Sequence, residues 1–271
     1  MGEARRNRRD TARFIQDFPD CCICGGARKA VTREHMPPKS LFDNKHRPDK
    51  LVMPACDICN SGTSTADLVT SMISRWDYGN TPNERNDHTK LAARIKRQAP
   101  EIVAEWLKPI DKSRARAHLE NHGVPVPTGA ALLTIGPMTI RQLNLFAHKA
   151  VLCLYFEHFK KIVSSSGAIC AYWRSKEDFA RGGVPPMLLD LMKKYGTLEQ
   201  GKWNAHETFE YRYELNAEQS LFACLARLRG RFYITGFATN NFAAVTEGRD
   251  DWISPNNLLE EFGKPSFEKR H

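Results

Sequence analysis

The sequence has no long hydrophobic run. Its longest apolar stretch, residues 143–156, is interrupted by His148 and Lys149 and is too short to span a bilayer. The basic first residues (Arg5, Arg6, Arg8, Arg9) are followed by no apolar segment before the first cysteines. No secretory signal and no membrane partner are therefore expected, and a cytoplasmic location is. Internal repeats and low-complexity tracts are missing as well. Acidic residues are in deficit, with 31 Asp and Glu against 40 Lys and Arg, a formal charge of +9. An excess of that sign favours polyanionic partners, nucleic acid first among them. A disulfide framework is not expected in a cytosolic chain, so the eight cysteines need another explanation. Five of them fall between residues 21 and 59.

The remaining composition is that of a folded protein. With 271 residues, 41% hydrophobic and 26% charged, the chain can bury a core of normal size, as one large domain or two modest ones. Residues 1–18 read as a basic N-terminal arm or short helix, pinned by Phe14, Ile15 and Phe18. Residues 19–80 are rich in Cys, Pro, Gly and Asn at first. Brief strands are expected near 29–32 and 50–53, and a helix after Asn60 with Ser64 and Asp67 as a capping box. Residues 81–138 form a basic helical region broken at Pro100, with a Pro- and Gly-rich linker at 123–138. Residues 139–271 predict an α+β domain with its own core. It opens on an amphipathic helix over 139–163 and continues into strands near 168–173, 208–215 and 221–237. The fold class expected is α+β.

Two Cys-x-x-Cys pairs carry the clearest chemistry. Cys21 and Cys24 form one, Cys56 and Cys59 the other. Four thiolates saturate a tetrahedral site, which marks structural zinc. The 31 residues between the pairs are too many for a simple ribbon, so the ion is expected to clamp the two ends of an inserted unit. Cys22 is an alternative to Cys21, and Cys153, Cys170 and Cys224 read as core. Inside the unit lies Arg33-Glu34-His35-Met36-Pro37-Pro38-Lys39, and Asn60 directly follows the second pair. A carboxylate can hold a hard divalent ion, an amide oxygen can complete its shell, and an imidazole can take a proton from water.

The order Cys-x-x-Cys, Arg-Glu-His-x-x-Pro-Lys, Pro-x-Cys-x-x-Cys-Asn resembles the zinc-containing HNH endonucleases. The resemblance covers roughly residues 19–80. It implies a zinc-stapled ββα-metal finger, followed here by the helices and a C-terminal α+β domain with a small antiparallel sheet. Carried over residue by residue, Glu34 and Asn60 would hold a catalytic Mg²⁺ or Mn²⁺, and His35 would be the general base. Cys21, Cys24, Cys56 and Cys59 would hold the zinc. Arg33 and Lys39 would touch substrate phosphates. The family's middle Asn, which orients the base, is replaced by Lys50; Asn44 or a backbone carbonyl could take over. The implied function is a metal-dependent endonuclease hydrolysing DNA, with RNA as an alternative substrate, of the kind found in bacterial or phage DNA-targeting and antiphage defence systems. The C-terminal region could serve a homodimer or a protein partner. The alternative is an inactive zinc module that binds nucleic acid or a protein.

Overall fold

A computed structural model describes residues 2–43, 46–76, 82–121, 123, 126, 132, 134–176, 178–179, 186–200, 203–218, 220–245 and 249–263. In chain order the elements are α1 (Gly2–Asp17), β1 (Thr32–His35), β2 (Val52–Ala55), α2 (Asp57–Ser74), α3 (Pro82–Gln98), α4 (Pro100–Trp106) and α5 (Lys112–Asn121). Then follow α6 (Pro137–Phe159), β3 (Ala168–Ser175), α7 (Pro186–Leu191), β4 (Lys194–Thr197), β5 (Glu199–Gln200), β6 (Trp203–Asn204), β7 (Phe209–Asn216), β8 (Leu221–Leu228), β9 (Phe232–Thr239) and α8 (Leu258–Phe262). This is an α+β fold. Among the described residues, no helix is long and apolar enough to cross a membrane.

The arm is helical, and its aromatic end does pin it: Phe18 meets the ring of Phe156 edge-on at 4.9 Å and Phe14 at 6.3 Å. β1 and β2 pair antiparallel, with Glu34 opposite Met53 and His35 opposite Val52. Both strands start later than the sequence pattern suggests. α2 also starts earlier than expected, because Cys56 is its N-cap and accepts a hydrogen bond from the Cys59 N–H. Ser64 and Asp67 therefore lie inside the helix and form no capping box. Pro100 does separate two helices and sits at the first turn of α4, where its missing N–H costs nothing.

The C-terminal sheet is antiparallel, in the order β3-β9-β8-β7-β4. Alternating side chains bury one face, and α6 lies against it. At β9, Gly236 lets α6 approach closely: a side chain there would collide with Val151. The sequence predicts α6 to be amphipathic, but every residue from Leu145 to Phe156 is buried. The reason is its place. One side packs on the sheet and the other on α2 and β2, so no face is left for water. Among the described residues the larger apolar core runs from Cys21 through α6 to Leu258, and Met192 and Leu225 form a small second cluster. Half of the Pro- and Gly-rich linker lies outside the described residues.

The start of α6 has no side-chain cap of its own, since Gly136 occupies that position. Glu105 of α4 supplies it. Its carboxylate, 3% exposed, accepts from the N–H groups of Gly136, Met138 and Thr139 at 3.0–3.1 Å and from the Thr139 hydroxyl at 2.6 Å. Burial pushes the Glu105 carboxyl up, but the bonds from Thr139, Met138 and Gly136 outweigh it and hold it below its usual value. Glu105→Ala is expected to cost about 2–3 kcal/mol at pH 7, the worth of a charged hydrogen-bonded cap at a helix start. A depressed carboxylate stabilises above its unfolded pKa, about 4.3, and the stabilisation is lost as pH falls through the lower folded value. Urea titrations should therefore show the gap between wild type and variant closing as pH drops below about 4. A gap of constant size would contradict the capping role.

Candidate functional site

The first site is built by two knuckles. In the first, Gly25 and Gly26 adopt positive φ (+60° and +84°), and a side chain on Gly25 would strike the backbone of Ser165. The turn lets the Cys21 carbonyl accept from the Gly26 N–H at 2.9 Å and the Cys24 carbonyl from the Ala27 N–H at 3.1 Å. The second knuckle joins β2 to α2. Together they bring the sulfurs of Cys21, Cys24, Cys56 and Cys59 within 4.8 Å of one another, all four buried. A tetrahedral zinc with bonds of about 2.3 Å needs sulfurs of this kind at close to that spacing. These four side chains could hold a structural zinc ion. Four thiols this close cannot all ionise without a cation. Hydrogen bonds from Cys21 and Cys59 hold Cys24 down, at about 2, while Cys21 and Cys24 drive Cys59 far up. Cys22 is not in the cluster. Its Sγ lies 3.5 Å from the Leu152 carbonyl, and burial pushes its thiol up. Cys153, Cys170 and Cys224 are buried elsewhere.

The second feature lies between the hairpin, α2 and α6. Alternation along β1 turns Glu34 inward. Its Oε1 accepts from Lys149 Nζ of α6 at 2.5 Å, and the same ammonium donates to both oxygens of Asp67 of α2 at 2.9 Å. Lys149 is fully buried, and the two carboxyl groups are nearly so. Burial opposes the charge on Lys149, but Asp67 and Glu34 more than compensate and keep it protonated. Burial, reinforced by Glu34 and opposed by Lys149, raises Asp67 to about 7. Asn60 sits in the first turn of α2, two turns before Asp67. Among the described residues no hydrogen bond joins its side chain to Glu34 or His35. Glu34 and Asn60 thus do not fit a divalent ion as arranged, because an ammonium already holds the Glu34 carboxylate.

The third feature is an open cleft of about 330 Å³ lined by Thr11, Thr32, Arg33, His35, Lys39, Arg47 and Asp49. His35 Nε2 lies 3.0 Å from Asp49 Oδ1. Partial burial raises the Asp49 carboxyl, but the bond from His35 outweighs it and the group stays ionised. An ionised carboxylate only accepts, so the neutral His35 ring carries its proton on Nε2 and Nδ1 is its unprotonated nitrogen. Burial, then the nearby Arg47, push the His35 pKa below its ordinary value, against the pull of Asp49. Arg33 reaches across to the Thr11 hydroxyl of α1 at 3.2 Å. Arg47 is buried beneath the cleft and donates to the carbonyls of Met36 (2.9 Å), Pro37 (2.6 Å), Pro48, Lys50 (2.6 Å) and Leu51 (3.2 Å). It ties the loop between the strands to the hairpin and so fixes Asp49 opposite His35. Asp49 directly precedes Lys50, the position where the sequence points to a missing orienting residue. Asn44 lies outside the described residues.

Elsewhere, His46 is exposed in the loop between the strands, and Trp76 and Trp106 pack edge-on at 6.5 Å, with the Trp106 indole N–H bonded to Thr139. Tyr78 and His122 lie outside the described residues. Comparison with protein-family profiles, curated proteins and solved structures finds no match for this chain.

Proposed function

We propose that the chain hydrolyses phosphodiester bonds in DNA as an HNH-type endonuclease, with His35 as general base and Asp49 as the residue that positions it. The observation that carries this reading is the His35–Asp49 pair at 3.0 Å in a cleft that also presents Arg33 and Lys39. A phosphate in the cleft would meet these cations, while Nδ1 of His35 takes the proton of the attacking water. The new P–O bond forms in line with the breaking bond to the 3′ oxygen, which leaves with a proton from solvent. Arg33, Lys39 and the buried charge of Arg47 offset the negative charge that builds on phosphorus-bound oxygens. No step is assigned to a metal on Glu34 and Asn60. The cysteine cluster, as structural zinc, would keep the hairpin and α2 rigid beneath the reaction.

A second reading, a zinc module that binds nucleic acid or a protein without cleaving, is favoured by the engagement of Glu34 with Lys149. The two readings part on one assay. Supercoiled plasmid incubated with zinc-loaded protein, in Mg²⁺ or Mn²⁺, should convert to nicked or linear form, and His35→Ala should not. Where nucleic acid is the partner, binding to a DNA duplex should weaken steeply with salt, at least tenfold between 50 and 200 mM for about two phosphate contacts. Plasmid left intact by the wild type at saturating protein would eliminate the enzyme and leave the module.

A further inference from the structure

We propose that Lys149 is the resident cation of an acidic site formed by Glu34 and Asp67, and that it keeps divalent metal ions out of the space between the hairpin and α2. The three groups come from β1, α2 and α6 and are separated by 115 and 82 residues; only the packing of α6 brings them together. An ammonium has three N–H donors. Here each has an oxygen, one at 2.5 Å and two at 2.9 Å, so the ion is saturated. Three carboxylate oxygens converging on one buried point are also what a hard divalent cation selects, at distances a few tenths of an ångström shorter.

Lys149 cannot swing away to admit one. Its side chain is 0% exposed, and it leaves α6 in the middle of the stretch buried between the sheet and α2. With both carboxyl groups ionised, the pair facing one ammonium leaves a single negative charge. Removal of the ammonium would leave two, the complement of a divalent ion. The cation demand of Glu34 is therefore met by the chain itself. This inference does not rest on the nuclease reading, since it concerns only what the carboxylates bind.

The test is a Mn²⁺ titration of zinc-loaded protein, with free Mn²⁺ followed by electron paramagnetic resonance. Wild type should show no Mn²⁺ site that Glu34→Gln abolishes. Lys149→Met should gain one Mn²⁺ per chain, bound at least tenfold more tightly than any site in wild type. The combination of Lys149→Met with Glu34→Gln and Asp67→Asn should lose it. A wild-type site that disappears in Glu34→Gln would overturn the proposal, as would a folded Lys149→Met protein that binds no Mn²⁺. If Lys149→Met fails to fold, the comparison of wild type with Glu34→Gln still decides. That variant retains one carboxylate against one ammonium, a balanced pair. A wild-type site indifferent to Glu34→Gln lies elsewhere and leaves the inference standing.

Discussion

Serine at Cys56 is expected to abolish metal binding and unfold the finger outright. Cys56 has two tasks. Its sulfur belongs to the four-cysteine cluster, and it caps α2 by accepting the Cys59 N–H at 3.4 Å. A structural zinc contributes on the order of 10 kcal/mol or more to folding, which rivals the whole stability of an ordinary domain, about 5–15 kcal/mol. The segment around the knuckles has little to set against that loss, with two strands of four residues each. It also belongs to the common core, so its release opens the side of α6 that packs on it. Wild type should carry one zinc per chain by metal analysis. Cys56→Ser should carry none and show no cooperative urea transition. Cys22→Ser is the control: outside the cluster, it should keep its zinc and lose only about 1–3 kcal/mol, the cost of a hydroxyl in place of a buried thiol. A metal-free Cys56→Ser protein that melts like wild type would refute the zinc assignment.

His35→Ala should lower plasmid cleavage by about 10²–10⁴-fold and leave salt-sensitive binding within a few fold, because the cleft cations remain. The pH profile adds a test that mere misfolding would not pass. The imidazole works as a base only when neutral, so the rate should fall as pH drops through its folded pKa. Burial and Arg47 place that value below the ordinary one, and the acid limb should accordingly lie below about pH 6.5. Asp49 opposes that shift. Asp49→Asn should therefore move the acid limb to still lower pH, as well as slow the reaction by loosening the ring. An acid limb that moves upward in Asp49→Asn, or stays in place, would exclude Asp49 as the partner of the catalytic imidazole.

The sequence alone was informative wherever the physics is local. Cys-x-x-Cys spacing closes a knuckle within four residues, and four such sulfurs in two pairs point to one cluster. Period-2 alternation marked β7, β8 and β9, and Pro100 marked the break between α3 and α4. Where local rules competed, the tertiary structure prevailed. Ser64 and Asp67 have the spacing of a capping box, but Cys56 starts α2 two turns earlier and Asp67 turns inward to Lys149. The partner of His35, Asp49, sits one residue before Lys50, the position that the sequence resemblance marks. The loop carrying Asp49 has no period, and its course is set by Arg47 gathering five carbonyls.

The pattern of residues by itself determined the α+β class and the cysteine cluster, because each follows from spacing along a few residues of chain. Only the tertiary structure decided what Glu34 binds. In the sequence Lys149 interrupts an apolar helix and looks like a defect; in the fold it supplies the ammonium between two carboxylates. Such a charge survives burial only when opposite charges converge on it from other elements, and that convergence is settled by how α6 packs against the hairpin and α2.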